Sequence, residues 1–185
     1  MLMRKFFDFI WETVKIVVVA LVIVVPIRYF LFQPFFVKGQ SMEPNFETGD
    51  YLIIDEISYR FREPARGEVV VFKYPKNPSQ NYIKRIIGLP GETVEVNEGK
   101  VIIYQDDKAY VLDETQYLPY LTSISGLAGK TRMVLGEDEY FVLGDNRPVS
   151  FDSRRWGVLP GKLIVGRVAL RVWPFAVFAA SPVNQ

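Results

Sequence analysis

The 185-residue chain contains no histidine and no cysteine. A Ser-His-Asp triad and a Cys-His pair are both impossible, so any nucleophile must be activated by some other base. A metal site built on imidazole or thiolate is excluded too, which leaves only carboxylate sites for hard cations. Without thiols there are no disulfides, and redox chemistry does not fix the compartment. Charge of one sign is also lacking: 22 Lys and Arg stand against 21 Asp and Glu, a net +1. That balance gives no reason to expect nucleic acid as a partner. The chain carries no internal repeat and no low-complexity tract.

What is present begins with an unbroken apolar run over 16–27, between Lys15 and Arg28. As helix it covers about 18 Å, short of a hydrocarbon core of about 30 Å. The flanks extend it, because 13–32 holds only Lys15 and Arg28 as charges, each near an end where its side chain can snorkel. Trp11, Tyr29 and Phe30 suit the two interfaces, and Pro26 marks the exit. A cleaved signal peptide would occupy the same place and also start with basic residues (Arg4, Lys5). No Ala-x-Ala-like site follows, however; Gln33-Pro34-Phe35-Phe36 is bulky throughout. We therefore expect a cytoplasmic segment over 1–12 and a single transmembrane anchor in the lipid bilayer over 13–32. Arg4, Lys5 and Lys15 on one side against Arg28 and Lys38 on the other slightly favour a cytoplasmic N-terminus and an external remainder.

Beyond position 36, strand-favouring residues dominate and Gly and Pro recur roughly every ten residues, which reads as mainly β. Strands are expected at 50–57, 68–74, 82–87, 139–143 and 163–173, with a hairpin of 93–96 against 101–104 around Asn97-Glu98-Gly99-Lys100. A Pro/Asn-rich loop is expected at 75–81. Residues 105–133 are polar and mixed, and read as a surface excursion clear of the core. The resulting domain spans 33–175, with a tail at 176–185.

Three stretches carry chemistry. Val37-Lys38-Gly39-Gln40-Ser41-Met42-Glu43-Pro44 follows the anchor directly and holds a candidate nucleophile, Ser41. Lys84 is the candidate base. By alternation Tyr82, Lys84 and Ile86 share one strand face, while Ile83, Arg85 and Ile87 share the other. Such a lysine is either solvated or partly buried. At its reference pKa of about 10.4 it is protonated and useless as a base; a shift of about three units, near 4 kcal/mol, is within reach of desolvation. The third stretch is 144–154, Gly144-Asp145-Asn146-Arg147-Pro148-Val149-Ser150-Phe151-Asp152-Ser153-Arg154. It is either a solvated turn or a buttress in which Asp152 and Arg154 form ion pairs and Ser150 holds a lysine amine in position.

Together these stretches, with Lys84 continuing into Arg85-Ile86-Ile87-Gly88-Leu89-Pro90-Gly91-Glu92 and with Arg66-Gly67-Glu68-Val69-Val70-Val71-Phe72, resemble the boxes of bacterial type I signal peptidases in order and spacing. The resemblance covers roughly residues 10–175, and the small size with one anchor looks most like Gram-positive-type members. It implies an antiparallel β, barrel-like catalytic domain facing the bilayer from the extracytoplasmic side of the cell membrane. The implied activity is a serine endopeptidase that removes signal peptides from exported preproteins after small, Ala-x-Ala-like residues, through an acyl-enzyme and with no cofactor or metal. It assigns Ser41 as nucleophile, Lys84 as general base, Ser150 as the lysine-orienting hydroxyl and Asp152 with Arg154 as a structural pair. Phe35, Val37, Met42, Tyr82 and Ile83 match positions that shape shallow apolar pockets, though each also fits ordinary core packing. Where some members have an oxyanion-binding serine, this chain has Gly39, so the implied oxyanion donors are the Ser41 N–H together with either a second backbone N–H, that of Gly39 being one candidate, or a water. The competing readings are a mitochondrial inner-membrane peptidase of the same superfamily and a membrane-anchored β scaffold without catalysis. A self-cleaving repressor, which also uses a Ser-Lys dyad, would carry a DNA-binding module in place of 16–27.

Overall fold

In a computed structural model, residues 2–30, 32–106, 108–118, 130–173 and 176–177 are described, with 2–5, 23–30, 32–33 and 176–177 as backbone only. The N-terminal helix α1 (Leu2–Phe30) is 29 residues long. Most of its described side chains are apolar, and they point outward: Ile16, Val19 and Val22 are all more than half exposed. Among the described residues no helix is long and apolar enough to cross a membrane. The second half of the expected anchor lies outside the described side chains.

The remainder is β, and every described strand pairing is antiparallel. In chain order the strands are β1 (Phe32–Phe36), β2 (Tyr51–Asp55), β3 (Val69–Tyr74), β4 (Asn77–Gly88), β5 (Thr93–Asn97) and β6 (Lys100–Gln105). They continue with β7 (Lys108–Val111), β8 (Thr131–Val134) and β9 (Glu139–Leu143). After a one-turn helix α2 (Ser153–Trp156) come β10 (Leu159–Pro160), β11 (Ile164–Trp173) and β12 (Ala176–Val177). The larger sheet runs β1-β2-β11-β3-β4-β9-β10, with β12 on β11; the smaller runs β7-β6-β5-β8. The barrel-like closure expected above is not found among the described residues. β1 and β10 end an open path, so the chain buries its strand faces by laying the small sheet on the large one.

That contact is a core in which Ile87, Phe141 and Leu143 of the large sheet meet Val94, Val96 and Ile103 of the small one. Residues 105–133 correct the sequence reading. They supply two strands, β7 and β8, and send Leu112, Tyr117 and Leu118 into this same core. Their polar composition hid the contribution because these apolar residues are not periodic. The loop expected at 75–81 is largely strand as well. β4 starts at Asn77 and turns back on β3 through residues 75–76, with Tyr74 opposite Asn77. Pro78, which lacks a backbone N–H, is tolerated there because this exposed end of β4 has no second neighbour strand among the described residues.

A second cluster, Val37, Met42, Phe46, Leu52, Ile54, Val69, Val71 and Val168, lies under the 37–46 segment. A third, including Val70, Phe72, Ile86, Val142, Trp156 and Leu159, lies under 150–160. β4 runs between the two, and Lys84 is on β4.

Candidate active site

Two apolar anchors hold the Ser41 loop. Met42 and Phe46 are one turn apart, linked by a 2.9 Å bond from the Phe46 N–H to the Met42 carbonyl, and both are at most 1% exposed. Burying two such side chains is worth about 1.5–3 kcal/mol each. The approach to Ser41 is clamped on its other side. The Val37 N–H donates to the Asp50 carbonyl and the Gly49 N–H to the Val37 carbonyl, both at 3.0 Å. Gly39 adopts φ +93°, a region that disfavours any side chain, and its N–H donates to Thr48 Oγ1 at 3.0 Å. Because that N–H is engaged, it is not free to receive an oxyanion. The Ser41 N–H has no partner among the described residues.

The 144–154 stretch grips the same loop. The Asn146 N–H donates to the Ser41 carbonyl at 3.0 Å. Gly144 is required here by close approach, since a Cβ would collide with both the Ser150 hydroxyl and the Ser41 carbonyl oxygen. Asn45 donates to Asp145 Oδ2 at 2.8 Å, and Arg85 reaches both Asp145 oxygens at 2.8 and 2.6 Å. Asp152 caps α2 and binds Arg154 through both oxygens at 2.7 and 2.8 Å, while also accepting the Gly144 N–H at 3.1 Å. Asp145 and Asp152 are fully buried, each paired with its own arginine. Arg147, 1% exposed, grips Glu114 at 2.9 and 2.5 Å, tying the 105–133 region to the site.

Lys84 is 4% exposed, and its Nζ lies 2.7 Å from Ser41 Oγ and 2.7 Å from the Ile83 carbonyl. Burial lowers its pKa from the ordinary 10.5 to about 8, against the pull of the nearby Asp152 and Asp145 carboxylates. Arg154 and Arg85 offset those carboxylates, which lets desolvation prevail. Ser150 Oγ is buried and makes no hydrogen bond among the described residues, to Lys84 or to any other group.

Beside the dyad, between β1 and β4, a cavity of about 350 Å³ is lined by Phe35, Val37, Leu52, Val71, Tyr82 and Ile83, with Lys38 and Asn81 at its polar edge. Met42 does not line it; fully buried, Met42 belongs to the core beneath. Sequence reasoning gave no role to Arg85, Asp145, Asn45, Thr48 or Glu114. Asp145 and Arg85 stood in the quoted boxes, but their pairing across 60 residues has no spacing signal.

A serine oxygen within proton-transfer reach of a desolvated amine, on a β scaffold beside an apolar groove, is the arrangement of a hydrolase that attacks through serine. Comparison with known proteins agrees. The profile of the family described as "Signal peptidase, peptidase S26" matches residues 10–173, and the chain belongs to this family of serine peptidases. It is 37% identical over 179 residues to a probable signal peptidase I-1 of Synechocystis, covering 90% of this chain and 84% of that one. It is 35% identical over 184 residues to signal peptidase IB of Staphylococcus aureus, covering 90% and 91%. Among solved structures, a signal peptidase I from Enterococcus faecalis aligns with 30% identity and a TM-score of 0.48, over 58% of this chain and 97% of that one.

Proposed function

We propose that Ser41 and Lys84 are the catalytic dyad of a signal peptidase that cleaves exported preproteins after small residues. The observation that carries this reading is the 2.7 Å approach of Lys84 Nζ to Ser41 Oγ in a buried setting. The neutral amine takes the Ser41 proton as Oγ bonds to the scissile carbonyl carbon. The Ser41 N–H faces the oxyanion. The ammonium of Lys84 then returns the proton to the leaving nitrogen as the C–N bond breaks, leaving an acyl-enzyme. Water, losing a proton to Lys84, releases the new carboxylate and restores Ser41. Ser150 takes the role of orienting the amine from its matched position in the family motif alone, since its buried hydroxyl makes no hydrogen bond to Lys84 among the described residues. Asp152 with Arg154 holds Gly144, and through it the Ser41 loop. Phe35, Val37, Tyr82 and Ile83 receive the small apolar residues before the cut.

The anchor completes the proposal. Residues 13–32 lie in the cell membrane, 1–12 in the cytoplasm and 33–175 outside, with 176–185 as a tail. The outward apolar side chains of α1 support this, since such a surface is stable only against lipid or protein. The test is to purify the full chain, Ser41→Ala and Lys84→Ala in detergent and follow preprotein cleavage. Both variants should fold and lose turnover. Near wild-type cleavage by either would refute the dyad, and no cleavage by the wild type would favour the scaffold reading.

A further inference from the structure

The cavity beside the dyad is bounded on one side by β1, the end strand of the large sheet. β1 pairs with β2 alone, so among the described residues its second edge is open. Backbone bonding to the β2 side continues past Phe36. The Val37 N–H donates to the Asp50 carbonyl and the Gly49 N–H to the Val37 carbonyl, both at 3.0 Å. Consecutive residues of a strand aim their N–H and C=O groups at opposite edges. Val37 therefore uses both groups on the 49–50 side, and those of Lys38 face the open edge. The Lys38 N–H and carbonyl have no partner among the described residues. An extended peptide in the cavity meets these free groups as an added strand would.

Side chains alternate as the backbone does. Phe35 and Val37 share one face, with Val37 buried, while Phe36 and Lys38 share the other and are exposed. A neighbouring strand takes on the same alternation. A bound peptide that sets two small residues, separated by one, over Phe35 and Val37 must turn the intervening side chain toward the face of Lys38. Lys38 is the one charged residue on the lining of this cavity among the described residues. Neither Glu43 nor Glu47 of its own loop pairs with it, nor does any other described carboxylate. The rim of an otherwise uncharged groove thus carries a single uncompensated positive charge at one substrate position.

We propose, resting on the peptidase reading above, that Lys38 selects among preproteins by the residue between the two small ones and favours a carboxylate side chain there. The ion pair is exposed, so the preference is modest and sensitive to salt. Its geometry is the same before and during bond cleavage, so it acts on KM and leaves kcat in place.

Peptides that share one Ala-x-Ala-like cleavage sequence and differ only in its middle residue, Glu, Gln or Lys, test this with the full chain in detergent at low salt. In the wild type kcat/KM should fall about threefold from Glu to Gln and about tenfold from Glu to Lys, through KM. Raising the salt to about 0.5 M should shrink both ratios toward one. Lys38→Met should level the series and Lys38→Glu reverse it, an inversion that mere damage to the groove does not produce. The same three residues placed well beyond the cut are the control, and no ranking is expected there. Equal cleavage of the three middle-residue peptides by the wild type, a ranking that survives Lys38→Glu, or the same ranking at the control position would overturn the proposal and leave the peptidase reading standing. No cleavage of any peptide by the wild type would overturn both.

Discussion

The proposed dyad makes a quantitative demand on pH. With the Lys84 pKa lowered to about 8, the amine can serve as the proposed base only in its neutral form. That form is about 1% of the enzyme at pH 6, about 10% at pH 7, half at pH 8 and about 90% at pH 9. The logarithm of kcat/KM should therefore rise with unit slope from pH 6, bend near 8 and level above 9. An unshifted lysine would keep the rate climbing past pH 10, and its neutral fraction at pH 7 would be about 0.04%. The structure thus supplies roughly a 250-fold gain in competent enzyme at neutral pH, equivalent to about 3 kcal/mol. The measurement is kcat/KM on a preprotein in detergent from pH 6 to 10, with circular dichroism at each pH to confirm that the fold persists. A flat profile between pH 6 and 9, or a midpoint above 10, would show that Lys84 is not the base or is not desolvated.

The same shift acts on stability, because the unfolded chain binds a proton that the folded chain gives up between about pH 8 and 10.4. Lys84→Met, inactive, should be more stable than wild type by about 1–3 kcal/mol below pH 8, with the gain vanishing as pH passes 10.4; urea denaturation at pH 7 and 10.5 reads this. Arg154→Met leaves the buried Asp152 carboxylate without its partner, which stabilises the Lys84 ammonium. Its pH–rate profile should move up by about one unit, with activity at pH 7 down about tenfold and largely recovered near pH 10. Glu114→Gln leaves Arg147 buried and unpaired, and should cost about 3–5 kcal/mol in chemical denaturation although Glu114 lies outside every motif.

The parts of the structure legible in the sequence are those with local signals. The strands expected at 93–96 and 139–143 follow from β-branched and aromatic runs bounded by turns, and they appear as β5 and β9. Ser41 and Lys84 stood out because the missing histidine left few bases to choose from. What stayed hidden was either short or non-local. β1 was obscured by Pro34 and by its place at the end of the apolar run, although its Phe35 pairs with Leu52 on β2. β7 and β8 are four residues each, and a window that short does not separate strand from loop. The pairings Arg85–Asp145 and Arg147–Glu114 join residues 60 and 33 positions apart, and no periodicity reports them.

Those hidden pairs are linked to the absent histidine by a single electrostatic constraint. In the proposed mechanism lysine stands where imidazole is absent, and lysine serves near neutral pH only if burial outweighs every nearby negative charge. The Ser41 loop, however, is held by carboxylates. Asp145 secures Asn45, Asp152 secures the Gly144 N–H, and both lie close enough to Lys84 to raise its pKa. Removing them would free the base but release the nucleophile. Arg85 and Arg154, each bidentate on one carboxylate, resolve the conflict by keeping the hydrogen-bond geometry while offsetting the charge. The acid–arginine pairs around the site are therefore tied to the chemistry of Lys84 as closely as to the fold, and a substitution in them should appear first as a displaced pH profile.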